Sequence, residues 1–379
     1  MRTNVRGIKV GLNATCLNER PSGAKQRFVG IYRELVKELP EAKFVVYEPV
    51  DCRVGLWFED APNVLFQPTR LHSERRISKL LGGLNFWPKT LSKESFDFFE
   101  CFNQPLFKAP DGRTILTIHD VRRIHPEWSG WERLAYKAAL RRDLSLADHV
   151  ITVSHAMKEE ILDCFPEASI SVIYNGIEPS EFDGVSYDEI MAIRIKYQLP
   201  ETFILAVGHF EKRKNYLRLI DAMAHLRDTG NSCKLVIVGN DSGEGLPMRE
   251  RVQSANLTEH VLILSGLDDT EVRCIYKMCQ LFVLPSSYEG FGIPILEAMA
   301  SGCPMALSDI PVFREITENR SVYFPYDDSV AMANAIHGLL NSEIERGLQI
   351  KYGLRRVQDF NFKSLAGQLA NLYRTLLKD

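Results

Sequence analysis

Short runs of apolar and β-branched residues recur along the first half of the chain, and several are separated by apolar positions at helical spacing. The runs predict strands at Ile8–Ala14, Lys43–Tyr47, Val64–Phe66, Phe96–Phe102, Thr114–Ile118, His149–Val153 and Ser171–Tyr174. The intervening patterns predict helices at about Ala24–Glu38, Trp131–Leu146 and His155–Phe165. Nearly continuous apolar strands that alternate with helices indicate a parallel sheet covered on both faces.

A second series of the same kind follows the polar stretch Pro179–Pro200. Its strands are predicted at Phe203–Val207, Lys234–Val238, Val261–Leu264, Leu281–Leu284, Pro304–Leu307 and Val322–Phe324. We therefore expect two doubly wound, Rossmann-like α/β domains, residues 1–185 and 186–379. Ligands of such sheets bind beyond the carboxyl ends of the strands, which predicts a cleft if the domains face each other. The amphipathic stretch Phe362–Leu377 is expected to pack on one domain or to bridge both.

Length and composition narrow the class of protein. A chain of 379 residues exceeds what one hydrophobic core usually supports, which agrees with two domains. A net charge of −3 gives no global basic field, so nucleic acid is not an expected partner. No signal peptide or apolar stretch of membrane-spanning length is visible. The eight cysteines are scattered without a C-x-x-C pair, which suits a cytoplasmic protein without a zinc cluster.

The segment from Glu289 to Glu297 carries the densest chemical signal. A predicted strand ends near Leu284, a glycine-containing loop follows, and Pro294 is well placed to begin a helix. Free amides at a helix start attract anions, and glycines let a ligand approach the backbone. The two carboxylates would accept hydrogen bonds from sugar hydroxyls. The alternative is an ordinary loop in which Glu297 is a solvated helix residue.

A basic segment, Gly208 to Tyr216, follows the strand Phe203–Val207. Its helix is predicted to begin near Asn215, so Arg213 and Lys214 lie beside a helix N-terminus, where the macrodipole disfavours cations. A bound pyrophosphate would offset that repulsion and use both charges. The alternative is a solvated basic loop.

Two further clusters are predicted at strand ends of the first domain. His119 and Asp120 end the strand Thr114–Ile118 and would lie at the edge of the predicted cleft. A structural histidine is the alternative there. Gly23, in the loop Asn18–Gln26, could let a phosphate or sugar approach the start of the following helix.

The stretch from Arg70 to Lys93 holds six Lys or Arg residues against one acid, Glu74, with apolar residues between them. A basic amphipathic segment can lie on an anionic membrane surface. We therefore consider it a candidate membrane or acceptor surface, represented by Arg75, Arg76, Lys79 and Trp87. The alternative is a solvated helix that packs its apolar side on the domain.

Taken together, these motifs resemble glycosyltransferase family 4, whose members have the GT-B architecture. The resemblance runs through nearly the whole chain and is strongest over residues 203–325, where Glu289 and Glu297 match the family's Glu-x7-Glu motif within "SSYEGFGIPILEAMASG". Other matching segments are "VSHAMKEEI", "VIYNGIEP", "AVGHFEKRKN" and "LVIVG". The segments "IHD" and "PSGAKQRFVGIYREL" are similar to the subgroup that includes bacterial O-antigen and polysaccharide mannosyltransferases.

The resemblance implies roles for residues at the matching positions. Glu297 would bind the ribose of a nucleotide-sugar donor, Glu289 the hydroxyls of the transferred sugar, and Lys214 the pyrophosphate. The remaining donor contacts would come from His119, from room at Gly23, from the Leu264–Gly266 region near the base, and from the amides of Gly290, Phe291, Gly292 and Ile293. The chain departs from many members at His209, where they carry an arginine; Arg213 would supply that charge.

The implied reaction is the transfer of a hexose, with mannose from GDP-mannose as the best match. The acceptor would be a growing glycan or a lipid-linked saccharide in the synthesis of a cell-surface polysaccharide or O-antigen. Members of the family are described as retaining enzymes with a front-face mechanism, in which fixed charges and dipoles stabilise the departing diphosphate. The resemblance implies no cofactor and no metal, and peripheral contact with the inner face of the cytoplasmic membrane fits such an acceptor.

Two other interpretations remain open from the sequence. Gly290 to Ile295 resembles a degraded G-x-G-x-x-G motif with Asp309 following, which would suit an NAD-dependent oxidoreductase, although the third glycine is absent. The chain could also be a non-catalytic sugar-nucleotide-binding protein of the same fold. The presence of Glu289, Glu297 and Lys214 together favours the enzyme.

Overall fold

The computed structural model describes residues 7–20, 22–58, 61–74, 76–102, 104–125 and 128–378, with only the backbone for residues 76–80. The chain forms two compact units. Unit 1 comprises Met1–Gly176 and Phe362–Asp379, and unit 2 comprises Ile177–Asn361. The division thus precedes the expected boundary at residue 185, and the C-terminal segment belongs to unit 1.

Each unit contains one sheet, and the paired strands run parallel. The strands are β1 (Lys9–Asn13), β2 (Lys43–Glu48), β3 (Val64–Pro68), β4 (Phe98–Cys101), β5 (Arg113–Ile118), β6 (His149–Thr152) and β7 (Ile170–Val172) in unit 1, and β8 (Ile204–Val207), β9 (Leu235–Val238), β10 (Val261–Leu264), β11 (Leu281–Leu284), β12 (Met305–Ser308) and β13 (Val322–Phe324) in unit 2. The strand orders are β3-β2-β1-β4-β5-β6-β7 and β10-β9-β8-β11-β12-β13. The prediction of two parallel α/β units is confirmed.

Helices separate most successive strands. They are α1 (Gly23–Glu38), α2 (Arg76–Leu91), α3 (Gly130–Leu146), α4 (His155–Cys164), α5 (Ser180–Asp183), α6 (Tyr187–Lys196), α7 (Tyr216–Asp228), α8 (Gly245–Ser254), α9 (Asp269–Met278), α10 (Ile293–Ser301), α11 (Pro311–Ile316), α12 (Ser329–Asn341), α13 (Glu343–Arg356) and α14 (Phe362–Leu376). Among the described residues, no helix combines the length and apolar character that a membrane span requires.

Local sequence explains where several of these helices begin and end. The Ser22 hydroxyl accepts the Lys25 amide at 3.2 Å and caps α1, as Ser154 does for α4. Pro294 stands in the first turn of α10, where its missing N–H costs nothing, and Gly302 ends that helix with φ 70°. These caps account for the agreement between predicted and observed helix boundaries.

The core of unit 1 lies between its sheet, α1 and α14. Leu365, Leu369 and Tyr373 of α14 are buried, and the Tyr373 ring stacks on Phe98 of β4 at a centroid distance of 4.6 Å. The Tyr373 hydroxyl donates a 2.7 Å hydrogen bond to Glu100, a fully buried carboxylate of β4. The C-terminal helix is therefore a structural part of unit 1.

Helix α2 corrects one sequence-based prediction. Trp87, placed on a membrane or acceptor surface by the sequence, is only 2% exposed, and its ring lies 5.2 Å from that of Tyr47 and 5.4 Å from that of Phe99. The turn of the helix directs this large apolar side chain into the core, where its burial is most favourable. Arg75 lies outside the described residues, and so do the side chains of Arg76 and Lys79.

The strand order of unit 2 locates its binding edge. The chain starts at β8 and adds β9 and β10 on one side, then β11, β12 and β13 on the other. The order therefore reverses between β8 and β11, and open α/β sheets bind ligands beyond the carboxyl ends of the strands at such a point. In unit 1 the same reversal occurs between β1 and β4.

Candidate functional site

The loops that leave β8 and β11 are bonded to each other at the switch point of unit 2. Asn215, which precedes α7 with φ 60°, donates its side-chain amide to the carbonyl of Pro285 at 3.1 Å. The backbone amide of Ser287 donates to the carbonyl of Arg213 at 2.8 Å. These bonds bring the two segments singled out in the sequence, residues 208–216 and 285–297, into one site.

Glu289 occupies the centre of this site. Its Oε1 lies 2.7 Å from Lys214 Nζ and its Oε2 lies 2.5 Å from Arg213 Nη1. The hydroxyl of Ser286, which is fully buried, also donates to Oε1 at 2.9 Å. The Lys214 and Glu289 side chains are 8% and 9% exposed, so their ion pair is largely shielded from water. The alternative of a solvated basic loop is wrong for Lys214.

The charges of this cluster favour the ionised form of Glu289. Burial alone would raise the pKa of this carboxyl, but the positive charges of Lys214 and Arg213 outweigh burial and lower its pKa to about 2. Arg213 also lies 2.8 Å from the carboxylate of Glu211. Two cations are thus held in place by two carboxylates at the edge of the sheet.

Glu297, about one turn into α10, has a different environment. Its Oε2 accepts a 2.8 Å hydrogen bond from the hydroxyl of Tyr276, a buried residue of α9. Burial raises the pKa of Glu297 to about 7, although the Tyr276 hydrogen bond acts in the opposite direction. The side chain is half-buried and bonded, so the alternative of a solvated helix residue does not describe it.

Two glycines allow the backbone to approach this edge. Gly208 has φ 146°, and a Cβ there would lie 3.0 Å from both Lys214 Cε and the Tyr216 hydroxyl. Gly292 has φ 136° immediately before α10, and a Cβ there would lie 3.1 Å from the Phe313 ring. Because both conformations disfavour L side chains, glycine is favoured at both positions. Gly290, Phe291 and Ile293 complete that turn.

The remaining donor-site candidates of unit 2 lie at the same carboxyl edge. His209 follows Gly208 and is half-buried, with a buried Nδ1 atom that has no hydrogen-bond partner. Leu264 ends β10, and the amide of Gly266 donates to the side chain of Asn240 after β9 at 3.1 Å. The carboxyl edge of this sheet therefore carries an unbonded imidazole nitrogen of His209 after β8. Backbone groups of the loops after β9 and β10 lie at the same edge.

The candidates of unit 1 lie at the carboxyl edge of its own sheet. His119 and Asp120 directly follow β5, and Asp120 accepts the backbone amide of Arg122 at 3.3 Å. Burial, followed by the positive charge of Arg27, lowers the pKa of His119 to about 3, so its imidazole is neutral at physiological pH. Gly23 is the exposed first residue of α1.

Sequence reasoning missed the two hydroxyl groups that donate hydrogen bonds to the two acids. Ser286 lies inside the motif that was recognised, so its hydroxyl could have been noticed as a partner for Glu289. Tyr276 gives no local signal, because it reaches Glu297 from another helix. Across the described residues, no three His, Cys, Asp or Glu side chains group closely enough to hold a metal ion.

Comparison with known proteins places this geometry among glycosyltransferases. The family model "Glycosyl transferases group 1" matches residues 188–356, and "Glycosyltransferase Family 4" matches residues 32–181. The O-antigen chain mannosyltransferase RfbU of Salmonella typhimurium is 31% identical over 226 residues, covering 59% of this chain and 60% of RfbU. O-antigen chain mannosyltransferase B of Escherichia coli is 27% identical over 282 residues, covering 73% of this chain and 74% of that protein.

A solved structure extends the likeness to the whole fold. HepE from Anabaena, determined in complex with UDP, superposes with a TM-score of 0.76 over 97% of this chain and 100% of HepE, at 19% identity. That likeness shows the fold, which is the GT-B architecture, and no more. The match to RfbU spans about three fifths of that relative's length, 60%.

Proposed function

The chain belongs to the group 1 and family 4 glycosyltransferases, and on this basis we propose that it is a retaining hexosyltransferase that uses GDP-mannose. The acceptor is a growing glycan or a lipid-linked saccharide in the synthesis of a cell-surface polysaccharide or O-antigen. The mannosyltransferase and O-antigen names of RfbU and of its Escherichia coli counterpart support the choice of sugar and pathway class.

The observation that carries the proposal is the ion cluster around Glu289. A transferred sugar leaves behind a nucleoside diphosphate, and the transition state therefore places new negative charge on the bridging phosphate oxygen. Lys214 and Arg213 are already fixed by Glu289 at 2.7 Å and 2.5 Å, so they need little rearrangement to stabilise that charge. Such preorganisation is usually the largest single contribution to catalysis.

Glu289 itself keeps lone pairs for the sugar. A carboxylate offers roughly four acceptor positions, and here two cations and the Ser286 hydroxyl occupy three of them. The remaining position accepts a hydroxyl of the transferred hexose in this proposal. Because the pKa of Glu289 is about 2, the group acts as an acceptor and a fixed charge, not as a proton donor.

Glu297 and His119 complete the donor contacts in the proposal. The Glu297 carboxylate accepts the ribose hydroxyls, and Tyr276 holds one of its oxygens at 2.8 Å. His119, whose pKa is about 3, meets the hexose as a neutral imidazole that can donate one hydrogen bond. The acceptor hydroxyl passes its proton to the departing phosphate oxygen while the new glycosidic bond forms on the same face, which retains the anomeric configuration.

A ligand screen followed by an assay of the product tests this function. We expect GDP and GDP-mannose to raise the melting temperature more than the UDP, ADP and dTDP equivalents do. With a mannose-terminated oligosaccharide as acceptor, proton NMR of the early product is expected to show the α-anomer formed from GDP-α-mannose. Stabilisation by NAD without any response to nucleoside diphosphates would overturn the proposal, and a β-linked product would overturn its retaining mechanism.

A further inference from the structure

The turn that follows β5 presents two arginines at the carboxyl edge of the unit 1 sheet. This 3-10 turn, Arg122–Ile124, begins two residues after Asp120. Val121 is fully buried and Ile124 is 9% exposed, and residues three apart lie on the same face of such a turn. The two apolar side chains thus anchor the turn on the core, and both arginines are half-buried beside them.

Two aromatic rings hold the side chain of Arg123. Its guanidinium carbon lies 5.3 Å from the ring centre of Trp128 and 5.9 Å from that of Tyr136 in α3. Both distances are within the range of cation–π contacts. Within the described part of the chain, Arg123 forms no ion pair and no side-chain hydrogen bond. The guanidinium is therefore positioned by the rings, and its five N–H donors have no acceptor there.

The other half-buried arginines that lie over aromatic rings in the described ranges all pair with acids. Arg314 lies 4.3 Å from a tyrosine ring and pairs with Asp309 at 2.5 Å. Arg273 and Arg356 each lie over a phenylalanine ring and pair with a carboxylate at 2.8 Å. A partly buried charge is unfavourable without such a partner. Arg123 differs from these three arginines because its counter-ion is absent from the described residues, which points to an external anion.

The nearest acid is bonded to the neighbouring arginine. Asp120 accepts the backbone amide of Arg122 at 3.3 Å, and its Oδ1 lies 3.9 Å from Arg122 Nε. Two arginines against one acid leave one positive charge in excess at the turn. Burial, followed by the charge of Asp120, raises the pKa of Tyr136 to about 12, so its hydroxyl stays protonated and adds no negative charge.

We propose that Arg123 binds a phosphate group at the reducing end of the acceptor saccharide. The planar fork of a guanidinium matches two oxygens of a phosphate, and two rings that fix the fork lower the entropy lost on binding. A saccharide linked to a lipid through phosphate carries such a group, whereas a free neutral glycan does not. The inference rests on the proposed function and selects between the two acceptors that the proposed function includes.

The position of Arg123 also favours a short acceptor. In the proposed function His119 meets the transferred hexose, and the attacking hydroxyl must reach the anomeric carbon of that hexose. Four residues of chain separate His119 from Arg123, so their α-carbons lie within about 14 Å of each other. The phosphate and the attacking hydroxyl therefore belong to a saccharide of few residues, and transfer occurs early in the assembly of the glycan.

Transfer to two matched acceptors tests the phosphate contact. Both are mannose-terminated disaccharides with a hexyl group at the reducing end, joined through a diphosphate in one and through a glycosidic oxygen in the other. We expect kcat/KM to be about tenfold or more higher for the diphosphate acceptor, because a charge-assisted hydrogen bond is gained. Arg123→Gln is expected to lose this preference, mainly through KM. Arg123→Lys is expected to keep part of it, since the charge stays and the fork is lost.

A matched control comes from Arg320 of unit 2. Its guanidinium lies 5.3 Å from the ring centre of Tyr352, and it forms no ion pair with another described residue. Arg320 is exposed and belongs to the other unit, so Arg320→Gln removes the same charge and the same kind of ring contact away from the proposed subsite. We expect this variant to keep the full preference for the diphosphate acceptor.

Inorganic pyrophosphate separates this subsite from the donor site. With GDP at saturation, calorimetry is expected to show pyrophosphate binding that Arg123→Gln weakens about tenfold or more. GDP binding is expected to be equal in the variant and the unchanged protein, which also shows that the variant is folded.

The proposal is overturned if the unchanged protein uses both acceptors equally, if Arg123→Gln lowers transfer to both by the same factor, or if Arg320→Gln loses the preference as well. Pyrophosphate binding that is equal in Arg123→Gln and the unchanged protein would also overturn it. Absence of GDP binding and of transfer would count against the proposed function. Pyrophosphate binding that is lost in Arg123→Gln would still support the anion site in that case.

Discussion

Glu289 and Glu297 lie in one continuous segment, yet their surroundings act on them in opposite directions. Burial favours the neutral form of both carboxyls. Lys214 and Arg213 reverse that tendency for Glu289 and lower its pKa to about 2, whereas Glu297 accepts a neutral hydroxyl from Tyr276 and its pKa rises to about 7. The cations that arrive from the β8 loop therefore decide which acid is a fixed charge and which acid titrates near neutrality.

The largest loss of activity is expected when the fixed charge of Glu289 is removed. Glu289→Gln keeps the size of the side chain but leaves Lys214 and Arg213 without their shared carboxylate. We expect kcat/KM for mannose transfer to fall by about a hundredfold or more, because the preorganised charges and the sugar contact are both lost. Steady-state kinetics with GDP-mannose measure the change.

Glu211→Gln is the matched control for that variant, since Glu211 pairs with the same arginine at 2.8 Å. We expect it to reduce kcat/KM by only a few-fold, about three to ten times. Equal losses in the two variants would mean that the total charge of the cluster matters and that Glu289 has no special role. Thermal denaturation of both variants shows whether either loss comes from unfolding.

Glu297→Gln tests the titrating acid through its effect on stability. The folded protein keeps the Glu297 proton up to about pH 7, whereas a glutamate in an unfolded chain releases it near pH 4.3. The folded state thus binds more protons between these values, and the free energy of unfolding falls as the pH rises through them. We expect the variant to lack this decline and to be more stable than the unchanged protein at pH 8 by about 1–3 kcal/mol.

The same variant is expected to bind GDP about tenfold more weakly at pH 8, since a carboxylate accepts ribose hydroxyls better than an amide does. Denaturant unfolding at pH 5 and pH 8 measures the stability, and calorimetry measures the affinity. An unchanged GDP affinity would contradict the ribose role. The Glu289→Gln variant should keep the decline in the free energy of unfolding between pH 5 and pH 8, because Glu289 stays ionised throughout this range.

Tyr276→Phe should also weaken GDP binding, but by less than Glu297→Gln does. Removing the hydroxyl takes away a bond that favours the ionised form, so the pKa of Glu297 rises further and GDP affinity at pH 7 falls by about three- to tenfold. The pH at which the affinity is half-maximal should move upward. Tyr352→Phe is the control, because Tyr352 donates to Glu318 at 3.0 Å in a comparable Tyr–Glu pair outside the site. If GDP affinity changed by the same amount in both variants, Tyr276 would have no specific role at the site.

Removal of divalent metal should have the smallest effect. Lys214 and Arg213 supply the positive charge for the diphosphate in the proposed mechanism, so EDTA is expected to leave the rate of mannose transfer unchanged. Transfer assays with EDTA, and with EDTA followed by excess Mg²⁺, measure this. A loss that Mg²⁺ restores would assign part of the charge stabilisation to a metal and not to the two side chains.

The sequence predicted what local patterns determine. Strand β11 and the start of α10 follow from an apolar run, two glycines and Pro294, so the placement of Glu289 could be inferred before the structure was known. The start of α7 at Tyr216 was predicted to within one residue for the same reason. These features depend on neighbours along the chain.

Other features depend on contacts between distant segments. The direction of Trp87 depends on the rings of Tyr47 and Phe99, and apolar spacing alone does not select it. The role of Tyr276 depends on how α9 packs against α10. Trp131 in α3 is 76% exposed, which was also missed, because a helix with that spacing would ordinarily bury the residue.

The contact between α14 and Glu100 has a consequence for biosynthesis. Unit 1 needs Tyr373 to complete its buried cluster, but the ribosome makes that residue only after the whole of unit 2, Ile177–Asn361. Unit 1 therefore stays incomplete during synthesis, and the face that α14 covers remains open to solvent. Unit 2 is continuous in sequence and can complete its fold first. Domains made during translation usually fold in order from the N-terminus; in this chain the order of completion is reversed.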